Sequence, residues 1–214
     1  NRNWGYDSVF KLAPAEAYGN PSELIHFIDE VHNHGLAIIL DVIYNHFGPD
    51  GNYLYPLARQ FFSHDYITPW GDAIDFRLDP VRQFFISSAK HWVYNYGFDG
   101  LRIDAVHTIW DPSPTHIIEE LCRSVKQDLG EDRKIMLILE NYDNQASLVG
   151  PDIADGTWND DFHHALHVAL TGESDGYYID YQDYHAEMER VITEGFAYGE
   201  RPSAFLHGKI RGES

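Results

Sequence analysis

Three short segments of the sequence end an apolar run on polar side chains. Asp41, Asn45 and His46 follow Gly35–Leu40, Arg102 and Asp104 sit within Gly100–Ala105, and Glu140 closes Ile135–Leu139. In an extended chain, residues two or four apart share a face, so Asp41 pairs with Asn45, and Arg102 with Asp104. An adjacent guanidinium favours the ionised carboxylate and predicts a lowered pKa for Asp104, as a carboxylate nucleophile requires. A carboxyl delivered by five apolar residues tends the other way, which suits Glu140 to general acid work. Taken singly, each segment reads equally as a strand cap, a structural ion pair or a terminus emerging into water. Together they offer two carboxyls with opposite bias, the equipment of a retaining glycosidase.

The elements that must position these groups are legible in the same pattern. Leu36–Ile43, Gly100–Ala105 and Ile135–Glu140 are each continuously apolar until a polar residue arrives at the end, as parallel strands covered on both faces are. Helices are predicted between them. Asn20-Pro21 with Glu23 reads as cap, first position and capping-box partner, with Leu24, Phe27, Ile28 and Val31 inward and Gly35 as the stop. Asp79-Pro80 opens a second helix that runs to Gly97 with Val81, Phe84, Phe85 and Trp92 inward. Ser113-Pro114 opens a third, through Ile117, Ile118, Leu121 and Val125 to Gly130. Two less sharply capped patterns follow, about Asp161–Leu170 and Gln182–Ile192. Strands alternating with helices predict a parallel sheet whose strand ends share one rim, so Asp104 and Glu140 meet there. The stretch 47–79 breaks the pattern with Gly, Pro and aromatic residues and is too long for a plain connector.

The chain has 214 residues with 34 Asp and Glu against 15 Lys and Arg, a net charge of −19. That sign repels nucleic-acid phosphates and anionic lipid, and suits a neutral partner such as a carbohydrate. A single cysteine, Cys122, excludes an internal disulfide framework, fits a reducing compartment and reads as a small core residue. No apolar run approaches a membrane span, and Asn1–Asp7 lacks the pattern of a secretory leader. His163 and His167 stand four apart on one predicted helix, with His164 beside them, but a third zinc ligand is wanting. Asp50, Asn52, Asp72 and Asp75 lack the spacing of a calcium loop, so no metal is expected.

Asp41–His46, Gly100–Ala105 and Leu139–Asn141 resemble, in order, three signatures of the α-amylase family of glycoside hydrolases. Trp4–Asp7 resembles the segment after that family's second barrel strand, and 47–79 sits where its small inserted domain does. The resemblance implies a partial (β/α)8 TIM barrel, about the central half, spanning 1–214 with the insert at 47–79. It implies Asp104 as nucleophile, Glu140 as acid/base, Arg102 as orienter of the nucleophile, and His46 as a contact to the sugar on the cleaved side. Asn45, Asp160, Asp161 and His163 are further expected substrate contacts, the last three on the trehalose side, and Asp41 is the structural member of its segment; Trp70 and Trp158 read from their type as sugar-stacking residues or, equally, as core residues. Within the family, Thr68–Ile74, Thr157–His164 and Glu194–Tyr198 followed by Pro202-Ser203 resemble the trehalose-releasing hydrolases. That implies maltooligosyltrehalose or a related α-glucan as substrate, no cofactor and a cytoplasmic enzyme. Glucan branching enzymes share much of the remainder, and a non-catalytic carbohydrate-binding barrel is the alternative from another class. The family's fourth signature, which brings a third carboxylate, has no counterpart before Ser214. The chain is accordingly expected to be part of a longer protein and, alone, neither closed as a barrel nor active.

Overall fold

A computed structural model describes residues 4–127 and 133–211. Four parallel strands make the central sheet: β1 (Ile39–Val42), β4 (Gly100–Ile103), β5 (Met136–Glu140) and β6 (Gly156–Trp158), side by side in that order. The helices α1 (Pro21–Asn33), α3 (Asp79–Lys90), α4 (Ile117–Gln127), α5 (Asp160–Thr171) and α6 (Tyr184–Glu194) are spread along the chain around these strands. Strand order equal to chain order, with α3 between β1 and β4 and α4 between β4 and β5, is the arrangement of successive barrel repeats; a single short turn, Ala146–Leu148, lies between β5 and β6. The sheet is left open, with β1 and β6 at its edges.

The three expected strands are present, and a fourth, β6, lies where no strand was expected. Only three residues long, it is too short to register as an apolar run. The first strand is shorter than the apolar run that suggested it. Leu36 is exposed, and Asp99 closes the strand's start by accepting from the Ile38 amide at 2.8 Å. Leu101, Ile103, Leu137 and Leu139 are fully buried between the helices, which explains why these positions of the two central strands are apolar.

Helix α1 has the expected capping box on Asn20 and Glu23. Of its predicted inward residues only Ile28 is buried, and Phe27 is 55% exposed. The reason is that α1 flanks an edge strand, so part of its apolar stripe has nothing against it among the described residues. Helix α3 opens at Asp79-Pro80 and continues as a wider helical turn, His91–Tyr96, to Gly97, whose φ of +91° ends it. Helix α4 begins at Ile117 rather than at Ser113-Pro114. Asp111 accounts for the difference: its carboxylate accepts from the Ser113 and Ile117 amides and from Arg82, fixing the preceding residues as a turn. Its expected end at Gly130 lies outside the described residues. Both later helices carry side-chain caps, Asn159 for α5 and Asp183 for α6.

Segment 47–79 contains two short helical turns, α2 (Leu54–Leu57) and Arg59–Phe61, and an antiparallel hairpin of β2 (Phe62–Thr68) and β3 (Gly71–Ile74). Thr68 closes the hairpin, donating to the Gly71 carbonyl and accepting from the Trp70 amide. The main core runs from Ile28 through α3 and α4 to Leu139, with Cys122 inside it. A smaller cluster joins α5, α6 and Tyr181.

Candidate active site

Register brings the polar groups to one rim. Asp41 stands opposite Arg102, Ile103 opposite Leu139, and Glu140 opposite Trp158. Asp104 follows one residue beyond the ladder, with its amide donating to the Val42 carbonyl at 3.0 Å. Arg102 sits at the centre and is buried. Its Nη1 donates to Asp41 and to Asp104, both at 2.7 Å, and its Nη2 lies 2.6 Å from Glu140 Oε2. The guanidinium also lies against the Trp158 ring at 4.4 Å. Burial works against its charge, yet Asp41, Glu140 and Asp104 together raise its pKa. Arg102 is therefore a fixed cation shared by three carboxylates.

Asp104 departs from the sequence expectation. Its pKa is pushed up to about 6, first by burial and then by the hydrogen-bonded carboxyl of Glu140, and Arg102 only partly opposes this. Sequence spacing gives the guanidinium and brings Glu140 to the same rim, but not how deeply Asp104 is buried nor that the two carboxyls bond, and here those two effects win.

His46 is buried at the mouth of β1. Its Nδ1 is 3.0 Å from Asn45 Oδ1, its ring stacks on Trp70 at 4.0 Å with planes 8° apart, and its Nε2 has no hydrogen-bond partner among the described residues. Burial and then the Lys11 charge lower its pKa, so the ring is neutral at neutral pH. Asn45 turns its amide to Thr108, donating at 2.9 Å, and so ties the mouth of β1 to the loop after Asp104.

Asp160 and Trp158 stand at the end of β6. Burial, then the charge of Glu140, raises the pKa of Asp160, while His163, exposed one helical turn on, pulls it down. Trp158 stands opposite Glu140, Asp160 follows within its electrostatic reach, and His163 faces Asp160 from the next turn. Asp161 does not join them. Fully buried, its carboxylate accepts from Asn144, Tyr181, Arg211 and the amides of Ala197 and Tyr198, so it anchors α5 to the chain beyond rather than meeting a ligand. His167 is likewise occupied, 2.7 Å from Glu173 and stacked on Tyr178. Among the described residues, no group of three His, Cys, Asp or Glu side chains is arranged to hold a metal ion.

Three site residues escaped the sequence reading. Tyr6 donates to Asp41 Oδ2 at 2.8 Å and accepts from Arg102 at 3.3 Å. Ala105 takes a left-handed conformation, φ 42° and ψ 49°, which aims its amide at Glu140 Oε2, 3.0 Å away. Thr108 accepts from Asn45 and donates to the Ala105 carbonyl at 2.7 Å. Tyr6 lies in the Trp4–Asp7 segment already singled out; Ala105 and Thr108 carry no signal of their type or spacing.

No family model matches the chain. Curated proteins do. Malto-oligosyltrehalose trehalohydrolase from Deinococcus radiodurans is 40% identical over 197 residues, 92% of this chain and 32% of the relative. The protein of the same name from Saccharolobus solfataricus is 39% identical over 223 residues, 99% of this chain and 38% of the relative. A 1,4-α-glucan branching enzyme from Pseudoalteromonas atlantica is 38% identical over 114 residues, but matches only 49% of the chain. The chain thus spans about a third of the length of the trehalohydrolases it matches. A crystal structure from Salmonella typhimurium, described as that of a candidate α-amylase, superposes with a TM-score of 0.93 at 41% identity, over 99% of this chain and 37% of that one. The α-amylase of Geobacillus thermoleovorans complexed with acarbose shares the fold alone, with a TM-score of 0.63 at 20% identity over 76% of this chain and 39% of that one.

Proposed function

We propose, since this chain belongs to the α-amylase family of glycoside hydrolases in its trehalohydrolase branch, that it carries the nucleophile and the acid/base of an enzyme that releases trehalose from maltooligosyltrehalose. The reading rests on one observation. A single buried guanidinium, Arg102, holds Asp104 on one nitrogen and Glu140 on the other, at the ends of adjacent parallel strands.

In the first step Asp104 attacks the anomeric carbon and forms a glycosyl ester. The bond to the leaving oxygen breaks, and Glu140 gives that oxygen its proton. In the second step Glu140 takes a proton from water, whose oxygen displaces Asp104 with overall retention. Arg102 and the Ala105 amide both contact Oε2 of Glu140, which leaves Oε1 as the oxygen we assign to the proton. His46, neutral and with a free buried Nε2, suits a sugar hydroxyl. Trp70, Trp158, Asp160 and His163 are assigned to the rest of the glucan, and 47–79 to a small inserted domain that forms one wall. No helix among the described residues is long and apolar enough to cross a membrane. The lone buried cysteine fits our assignment to the cytoplasm.

The test is a product assay on the full-length protein carrying this chain, with trehalose-capped and uncapped malto-oligosaccharide offered separately. Rapid trehalose release from the capped substrate, with little attack on the other, is expected. New branches in amylose without trehalose would replace the hydrolase reading by branching, and no turnover of either would leave only a binding role.

A further inference from the structure

Thr108 joins the two sides of this site. Its hydroxyl has one proton, which goes to the Ala105 carbonyl at 2.7 Å, since a carbonyl can only accept. Toward Asn45, 2.9 Å away, the same oxygen therefore accepts, and it is the Asn45 NH2 group that faces it. That orientation turns Asn45 Oδ1 to His46 at 3.0 Å. Nδ1 of the His46 ring thus carries the proton, and its buried Nε2 is left as an acceptor.

The series of bonds ends at Glu140, whose Oε2 accepts from the Ala105 amide at 3.0 Å. From the mouth of β1 onward every bond points the same way: His46 to Asn45, Asn45 to Thr108, Thr108 to Ala105, Ala105 to Glu140. Hydrogen bonds aligned in this manner polarise one another.

Ala105 offers its amide to Glu140 from φ 42° and ψ 49°, a conformation disfavoured for any residue with a Cβ. It persists only where neighbours hold it. The Ala105 carbonyl takes two bonds, from the Thr108 amide at 2.9 Å and from the Thr108 hydroxyl. Val106 and Ile109, both buried, seat the turn on the core, and His107 Nδ1 accepts from the Tyr142 amide at 3.2 Å. Those contacts need no hydroxyl at 108. What the hydroxyl adds is the tie from Ala105 to the mouth of β1.

We propose that Thr108 is a positioning residue for the acid/base: its hydroxyl locks the Ala105 backbone, whose amide holds Oε2 of Glu140 and leaves Oε1 to face the leaving oxygen. The proposal rests on the reading of Glu140 as acid/base. A carboxyl free to turn about its last bond spends less time in line with the oxygen it protonates, and small misplacements at a reacting centre are costly.

The test compares wild type, Thr108→Val and Thr108→Ser in the full-length protein on two substrates. Maltooligosyltrehalose has a sugar leaving group that needs the proton of Glu140; α-maltosyl fluoride loses fluoride without it. kcat/KM covers the steps up to the glycosyl ester, so it isolates that proton. Thr108→Val is expected to lower kcat/KM about tenfold on the capped oligosaccharide and no more than about twofold on the fluoride. Thr108→Ser, which keeps the hydroxyl, restores the wild-type ratio. A second readout needs no activity: hydrogen exchange at the Ala105 amide, followed by NMR with labelled alanine. It is expected to quicken about five- to tenfold in Thr108→Val and to stay at the wild-type rate in Thr108→Ser. An equal fall on both substrates, as a merely structural role would give, or unchanged exchange at Ala105 would overturn the proposal. Wild-type protein that cleaves neither substrate would overturn the reading of Glu140 instead, while exchange at Ala105 would still decide whether Thr108 holds that amide.

Discussion

Asp104 and Glu140 lean on the same guanidinium, Asp104 on Nη1 of Arg102 at 2.7 Å and Glu140 on Nη2 at 2.6 Å. A shared cation keeps two carboxyls together that would otherwise repel, and it holds them at fixed orientation to one another. Because Asp41 takes a second bond from Nη1, Arg102 cannot turn toward either carboxyl without losing a contact. The site is thus built before any substrate arrives, which is how preorganised charge contributes to catalysis.

The first consequence concerns pH. Asp104 must be ionised to attack, and burial and Glu140 have pushed its pKa up to about 6. Activity should therefore rise with pH through about 6, an acid limb well above that of an ordinary aspartate. A kcat/KM profile of the full-length protein checks this. A limb near pH 4 would mean that Arg102 dominates after all.

The same shift has a sign for stability. A carboxyl whose folded-state pKa is raised contributes stability below its unfolded value, near 3.8, and that contribution is lost as pH rises through about 6. At pH 7 the ionised Asp104 is thus a burden on the fold. Asp104→Asn should abolish turnover yet raise stability at pH 7 by about 1 to 3 kcal/mol, with the gain shrinking toward pH 4. Urea unfolding at the two pH values tests it. A variant less stable than wild type at pH 7 would show that the Arg102 contact outweighs burial and Glu140.

Asp161 is expected to behave in the opposite manner. Its carboxylate is fully buried and accepts from Arg211, Tyr181, Asn144 and two backbone amides. Asp161→Ala strands the Arg211 charge and should destabilise the protein by about 3 to 5 kcal/mol. Thermal and chemical unfolding measure the loss directly. Normal stability combined with weakened substrate binding would return Asp161 to the list of sugar contacts.

The legible part of this molecule is the part written in local pattern. Parallel strands emerge from a packed sheet at one rim, so the polar residues that arrive as an apolar run ends, Asp41, Arg102 with Asp104, and Glu140, announce the site. Caps such as Asn20 with Glu23 announce helix starts for the same local reason. What escaped depends on residues far apart in the chain. Tyr6 reaches Asp41 across 35 positions, and the pKa of Asp104 is set by its depth and by its bond to Glu140, neither of which leaves a trace in spacing even though both carboxyls are expected on one rim. The resemblance over Thr157–His164 groups Asp161 with Asp160, its neighbour in sequence. On a helix adjacent residues point about 100° apart, so one meets the rim and the other the interior. Ala105 escaped because its strained backbone, not its side chain, serves the site.

The most direct test of the account is the anomeric configuration of the first product. Proton NMR, recorded within the first minutes of hydrolysis of maltooligosyltrehalose by the full-length protein, distinguishes the α from the β reducing sugar before mutarotation mixes them. Two displacements at one carbon, by Asp104 and then by water, predict the α anomer, with no product from Asp104→Asn. The β anomer first, or an undiminished rate in Asp104→Asn, would contradict the assignment of Asp104 as nucleophile.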